Sequence, residues 1–148
     1  MPVRSASAQW QGNLTAGHGV LCFDAYQGAF SFRSRMEEGP GVNPEELLGA
    51  AHAGCFSMAL AAALSQAGAT PHTVTTRAQV HFGPSGDGYA ISAIELVTEV
   101  EAGGMDEASF QKVAETAKET CPVSKALAAT PIALRATLRQ TGSELRAG

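Results

Sequence analysis

At 148 residues the chain has the size of one domain, able to bury roughly 68–70% of its unfolded surface around a core that needs no staples. Fourteen acidic against ten basic residues give a formal net charge of −4, with no Lys or Arg cluster and few aromatics, which excludes the usual footprint of a nucleic-acid binder. Charged residues make up only 16% of the chain, so some surface is expected to be covered by a partner, in the simplest case a second copy.

No internal repeat or low-complexity linker breaks the chain, and the Gly/Pro clusters at Gly39-Pro40-Gly41, Gly83 to Gly88 and Gly103-Gly104 read as turns inside a single domain over 1–148. Before Asn43 the pattern predicts three short strands, Arg4 to Trp10, Gly19 to Phe23 and Phe30 to Arg35, as an antiparallel start. From Asn43 to Gly68 it predicts a long helix. Asn43 is the N-cap, Pro44 the first helical residue, and Glu46 is placed for a capping box. Gly68 supplies the stop. Leu47 to Leu64 holds no Lys, Arg, Asp or Glu, so this helix should be buried on most sides at the centre of the fold.

Two strands of period two follow. In the first, Val74, Thr76, Ala78, Val80 and Phe82 share a face. In the second, from about Tyr89 to Glu101, Ile94, Leu96, Thr98 and Val100 do. Asp106 then caps an amphipathic helix to about Glu119 whose Phe110, Val113, Ala114 and Ala117 lie together. Cys121-Pro122 opens a shorter helix to about Ala129, and a last strand runs from Ile132 to Arg139. The order β-β-β-α-β-β-α-α-β predicts an α+β fold with antiparallel sheets around a long buried central helix.

Met1 to Trp10 holds no uninterrupted apolar stretch of the signal-peptide kind, and no run reaches the roughly 20 apolar residues of a spanning helix without polar breaks. A soluble, cytoplasmic protein without membrane contact is expected. Three cysteines are an odd count in such a setting, which disfavours a disulfide framework and leaves reactive or simply buried thiols. Cys121 precedes Pro122 at a helix start, where free backbone N–H groups favour a thiolate; its local sequence fits a structural cap equally well. Cys55 lies about three turns into its helix, where apolar burial raises the pKa and a cation from elsewhere, Arg33 or Arg35, would be needed to ionise it. By local sequence alone Cys55 reads as a small core residue, as does Cys22 on its strand. His52, one turn before Cys55, is placed as a base or as a packed, hydrogen-bonded ring. His18, His72 and His81 have no metal-ligand spacing, and neither a metal nor another cofactor is expected.

The segments NPEELLGAAHAGCFSMAL and ETCPVSKAL, with Trp10-x-Gly12 and Ser34-Arg35-Met36-Glu37-Glu38-Gly39 before them, resemble the OsmC/Ohr family of thiol peroxidases, and the Ala-His-Ala before Gly-Cys resembles its OsmC branch. The likeness runs over nearly the whole chain. It implies an intertwined homodimer with shared active sites that reduces organic hydroperoxides and, in the OsmC branch, hydrogen peroxide, in stress defence. By motif position it implies Cys55 as peroxidatic and Cys121 as resolving cysteine, Arg35 as the arginine that stabilises the thiolate, and Glu45 as the glutamate that holds that arginine. It further implies regeneration by an external dithiol of lipoyl type. Cys22 has no counterpart in the pattern.

Glu45 and Cys55 are ten residues apart on one helix, a rise of about 15 Å and an offset of about 80°. They cannot share a site directly, which points to a contribution from a second subunit. Two other readings are open to the same residues. One is a dimeric protein binding a hydrophobic ligand, with incidental cysteines. The other, a thioesterase of the hot-dog type, needs a carboxylate on the helix, and Leu47 to Leu64 contains none.

Overall fold

In the computed structural model the described residues are 1–141, so the last seven positions of the domain expected over 1–148 lie outside them. The chain divides into two compact units, Met1–Leu47 and Leu48–Gly148.

The first unit is a three-stranded antiparallel meander of β1 (Ser7–Gln11), β2 (His18–Phe23) and β3 (Tyr26–Phe30), followed by α1 (Phe32–Met36). Gly19 is required on β2: a Cβ there would stand 2.4 Å from the Phe30 ring and 2.7 Å from that of Trp10. β2 and β3 join through Asp24 and Ala25, with Asp24 at φ 49, a left-handed conformation that Asp tolerates better than most residues. This tight turn pulls the third strand earlier than the expected Phe30 to Arg35. Those residues form α1 instead, because Ser31 makes a capping box: its Oγ accepts from Ser34 N–H at 3.1 Å and its N–H donates to Ser34 Oγ at 2.9 Å. Ser34 Oγ also donates to the Val42 carbonyl at 2.7 Å, fixing the loop that leads into the long helix.

The long helix α2 (Pro44–Gln66) begins in the first unit and continues into the second. Asn43 Oδ1 accepts from Glu46 N–H at 2.8 Å, as a cap should; the Glu46 carboxylate accepts from the Asn43 side-chain amide rather than from backbone. At the other end Gly68 is left-handed, with φ 93, and its N–H and that of Ala69 donate to Ser65 and Leu64 carbonyls, which closes the helix as expected.

In the second unit α2 is followed by β4 (Thr70–Ser85), β5 (Gly88–Gly103), α3 (Glu107–Thr120), α4 (Pro122–Ala126) and β6 (Ile132–Gln140), with sheet order β4-β5-β6. β4 and β5 form the expected antiparallel hairpin, bulged at Ser92, where the register shifts between His81 and Phe82. β6 pairs parallel to β5, so this sheet is mixed where an all-antiparallel one was expected. The physical reason is the connection: α3 and α4 form a crossover that returns the chain to the same end of the sheet. The fold class remains α+β.

Phe56, Leu60 and Leu64 of α2, Ile94, Leu96 and Val100 of β5, and Phe110, Ala114 and Ala117 of α3 build one core. A polar thread crosses it: Ser57 Oγ donates to Thr76 Oγ1 at 2.8 Å, which meets Thr98 Oγ1 at 2.9 Å. α2 is long and apolar enough to cross a membrane by length and composition, but its Phe56 face packs in this core. Within the chain only that face is buried; Ala51, Gly54, Met58 and Ala62 remain exposed.

Candidate active site

Cys55 and Cys121 come together in the second unit. Cys55 sits on α2 beside the buried Phe56, which turns its own side chain to the rim of the core. Cys121 lies at the joint of two helices. Its N–H donates to the Ala117 carbonyl at the end of α3, and its carbonyl accepts from Lys125 N–H in α4, each at 3.0 Å. This places its side chain inward, fully buried, with the two sulfurs 3.0 Å apart and both free.

The electrostatics of the two thiols differ. Burial raises the Cys55 pKa, the hydrogen bond with Cys121 raises it further, and the N–H of Val123 only partly offsets them. Burial also pushes Cys121 up, but there the hydrogen bond with Cys55, the N–H and hydroxyl of Ser124, and the N–H of Val123 outweigh it, and the net shift is downward. As a neutral thiol Cys121 makes no capping hydrogen bond to α4. Within this unit Cys121 is the more acidic thiol. Cys55 receives no cation from its own helix, as the sequence implied.

His52 is fully buried one turn before Cys55, and its Nε2 lies 2.7 Å from Ser124 Oγ. Burial lowers its pKa, which makes it a neutral ring at ordinary pH. Ser124 was not singled out in the sequence. Its position three residues after the capping Cys121, where a helix presents N–H groups to its cap, was the available signal.

Arg35 and Glu45, both in the first unit, form a side-on ion pair. Arg35 Nε donates to Glu45 Oε1 and Oε2 at 3.1 and 3.2 Å, and Nη2 donates to Oε1 at 2.7 Å. The carboxylate side chain is 9% exposed and the guanidinium side chain 40%. α1 supplies the arginine and the first turn of α2 the glutamate. Arg33, the other candidate cation, pairs at the surface with Glu37.

Beside Arg35 the first unit carries a cleft of about 180 Å³ lined by Trp10, Leu14, Phe30, Phe32 and Met36. Trp10 and Phe30 form one wall, their ring centroids 5.3 Å apart and tilted by 51°. Phe56 and Leu60 are sealed in the core, and Met58 lines a separate hollow with His72 and Val74. Cys22 lies on β2, half-buried and free. Among the described residues no group of three or more His, Cys, Asp or Glu side chains is placed to hold a metal ion.

Comparison with known proteins gives consistent results. A sequence model of the family described as OsmC-like protein matches residues 37–135. Peroxiredoxin OsmC of Escherichia coli is 40% identical over 129 residues, which cover 85% of this chain and 90% of that one. An organic hydroperoxide resistance protein of Xanthomonas axonopodis pv. citri is 35% identical over 89 residues, 60% of this chain and 61% of that one. Among solved structures, an OsmC like protein from Mycoplasma pneumoniae superposes with a TM-score of 0.72 over 93% of this chain and 97% of that one, at 17% identity, a likeness of fold.

Proposed function

The chain belongs to the OsmC-like protein family, and on that premise we propose that it is a thiol peroxidase that reduces organic hydroperoxides, and hydrogen peroxide, in oxidative stress defence. The observation that carries this reading is the meeting of two free thiols at 3.0 Å, one of them fully buried and faced by N–H donors.

Cys55 is the attacking thiolate. Its own surroundings raise its pKa, so a cation has to be supplied, and Arg35, held by Glu45 and partly exposed, is the one this reading assigns. The thiolate attacks the terminal peroxide oxygen, releasing alcohol or water and leaving a sulfenic acid. Cys121 condenses with it to a disulfide, and an external dithiol, of lipoyl type, restores both thiols by exchange. The cleft of Trp10, Leu14, Phe30, Phe32 and Met36 is suited to the alkyl or aryl group of the substrate.

The acting species in this reading is a homodimer with shared sites, one OsmC-like domain per copy, located in the cytoplasm. The exposed apolar face of α2, where Met58 is 77% exposed, supports a second copy as its cover. Replacing Cys55 by Ser is the test: turnover of cumene hydroperoxide with a dithiol reductant should be abolished, and wild-type turnover in that variant would end the proposal.

A further inference from the structure

We infer that Leu14 is a specificity-determining residue: held in place by the Trp10 indole N–H, it forms a ready-made wall of the cleft beside Arg35 that selects hydroperoxides carrying one compact aryl or branched alkyl group. The inference rests on the peroxidase reading and adds to it the size and shape of the substrate's organic part.

Of the apolar residues that line the cleft, Trp10, Phe30, Phe32 and Met36 are partly buried by the fold, whereas Leu14 is 64% exposed. A single exposed leucine is ordinary on a surface and needs no ligand to explain it. This one is not free to turn away. It stands between β1 and β2 in a loop that closes as one turn on Asn13, whose carbonyl accepts from Gly17 N–H at 2.9 Å and whose Oδ1 accepts from Ala16 N–H at 2.8 Å. The Trp10 indole N–H then donates to the Gly12 and Asn13 carbonyls, at 3.1 and 3.3 Å. Gly17 permits the closure, because a Cβ there would stand 2.3 Å from the Asn13 carbonyl oxygen and 2.4 Å from that of Gln11.

Trp10 thus has two tasks. Its ring makes a wall with Phe30, and its N–H fixes the backbone on the N-terminal side of Leu14. The cost of ordering the loop falls on folding rather than on binding, so a group that covers Leu14 keeps the apolar gain in full.

The volume sets the size of that group. The cleft holds about 180 Å³, and an apolar cavity of about 150 Å³ already accommodates benzene. One phenyl ring, or a tertiary alkyl group of similar bulk, fills the space among Trp10, Phe30 and Leu14. A long straight chain runs past it into water and buries only its first carbons. Hydrogen peroxide has nothing to place there.

The experiment uses the full chain, whose only tryptophan is Trp10, so that indole fluorescence reports occupancy of the cleft without any turnover. The probes are 2-phenyl-2-propanol, the alcohol left by reduction of cumene hydroperoxide, and straight-chain 1-alcohols of increasing length. The phenyl alcohol should give a saturable change. Affinity for the 1-alcohols should rise by about fourfold per added methylene until the cleft is filled, and then level off. Leu14→Ala should weaken the phenyl alcohol by about fivefold, and Leu14→Met, which keeps the apolar bulk, should restore most of that loss. In steady-state assays the ratio of kcat/KM for cumene hydroperoxide to that for hydrogen peroxide should fall by a similar factor in Leu14→Ala and in Trp10→Phe, which keeps an aromatic wall and loses the N–H. Leu14→Ala should lower the ratio little further in the Trp10→Phe background, because both changes remove the same wall.

The inference is overturned if Leu14→Ala binds the phenyl alcohol as tightly as the unsubstituted chain, if 1-alcohol affinity climbs without levelling, or if no saturable change is seen. Its failure is distinct from failure of the peroxidase reading. Normal fluorescence titrations with no turnover of either peroxide would remove the peroxidase and keep the cleft assignment, whereas turnover of both peroxides at an unchanged ratio in Leu14→Ala would do the reverse.

Discussion

The sulfurs of Cys55 and Cys121 lie 3.0 Å apart across a separation of 66 residues, one carried by a helix and the other by the joint between two helices. Their surroundings divide the work between them. Cys121 has the donors that favour a thiolate, whereas Cys55 has burial against it and no Lys or Arg on its own helix.

If Arg35 supplies the cation as proposed, Glu45 is a sensitive position. Glu45→Gln removes the charge that holds Arg35 in a three-bond grip while keeping nearly the same shape. The expected result is a fall in kcat/KM for hydroperoxide of about tenfold or more, because an arginine in the wrong rotamer no longer stabilises the thiolate. Stability should change little, about 1 kcal/mol, since the guanidinium is well exposed. Steady-state kinetics and a denaturant titration on the same variant separate the two effects.

Trp10 is expected to set substrate preference. Trp10→Ala opens the wall that it forms with Phe30 and should lower kcat/KM for cumene hydroperoxide by about tenfold while leaving that for hydrogen peroxide within about twofold, because only the organic substrate has an apolar group to bury. Parallel assays with the two oxidants check this. An equal loss on both would assign Trp10 to folding rather than to recognition.

Stability should fall on mild acidification because of His52. Its pKa in the fold is lowered from 6.5 by burial, so the unfolded chain binds its proton more readily than the native one. The contribution is complete above about pH 6.5 and is lost as pH falls through the lowered folded value. Denaturant midpoints measured from about pH 7 down to about pH 5 should decline in the wild type and decline less in His52→Leu.

Most of the second unit was legible in the sequence. Val74, Ala78 and Val80 of β4, the Ile94, Leu96 and Val100 face of β5 and the Phe110, Ala114 and Ala117 stripe of α3 lie inward as patterned, while Phe82, past the bulge, stacks on Tyr89. The direction of β6 was not read, because alternation gives a strand its faces and leaves its direction to the crossover before it. Phe30 to Arg35 has enough alternation for a strand, but the Ser31 and Ser34 capping pair is a local bond that outweighs it and makes α1. α2 was expected to be wrapped on most sides; within the chain a single sheet with α3 covers one face, and composition could not say which atoms cover the other.

The thiol pair was legible only through motif resemblance, since Cys55 by itself has the environment of a core residue. Arg35 and Glu45 entered the same way, and in the structure they form an ion pair. The contact between His52 and Ser124 had no sequence signal beyond cap spacing, because the two residues lie 72 positions apart.

The most direct measurement is intact mass with disulfide mapping after one equivalent of cumene hydroperoxide. The wild type should lose two hydrogens and yield a Cys55–Cys121 linked peptide, while Cys121→Ser should gain oxygen on Cys55 and stop after one turnover. An unchanged mass in the wild type, or oxidation confined to Cys22, would contradict the account.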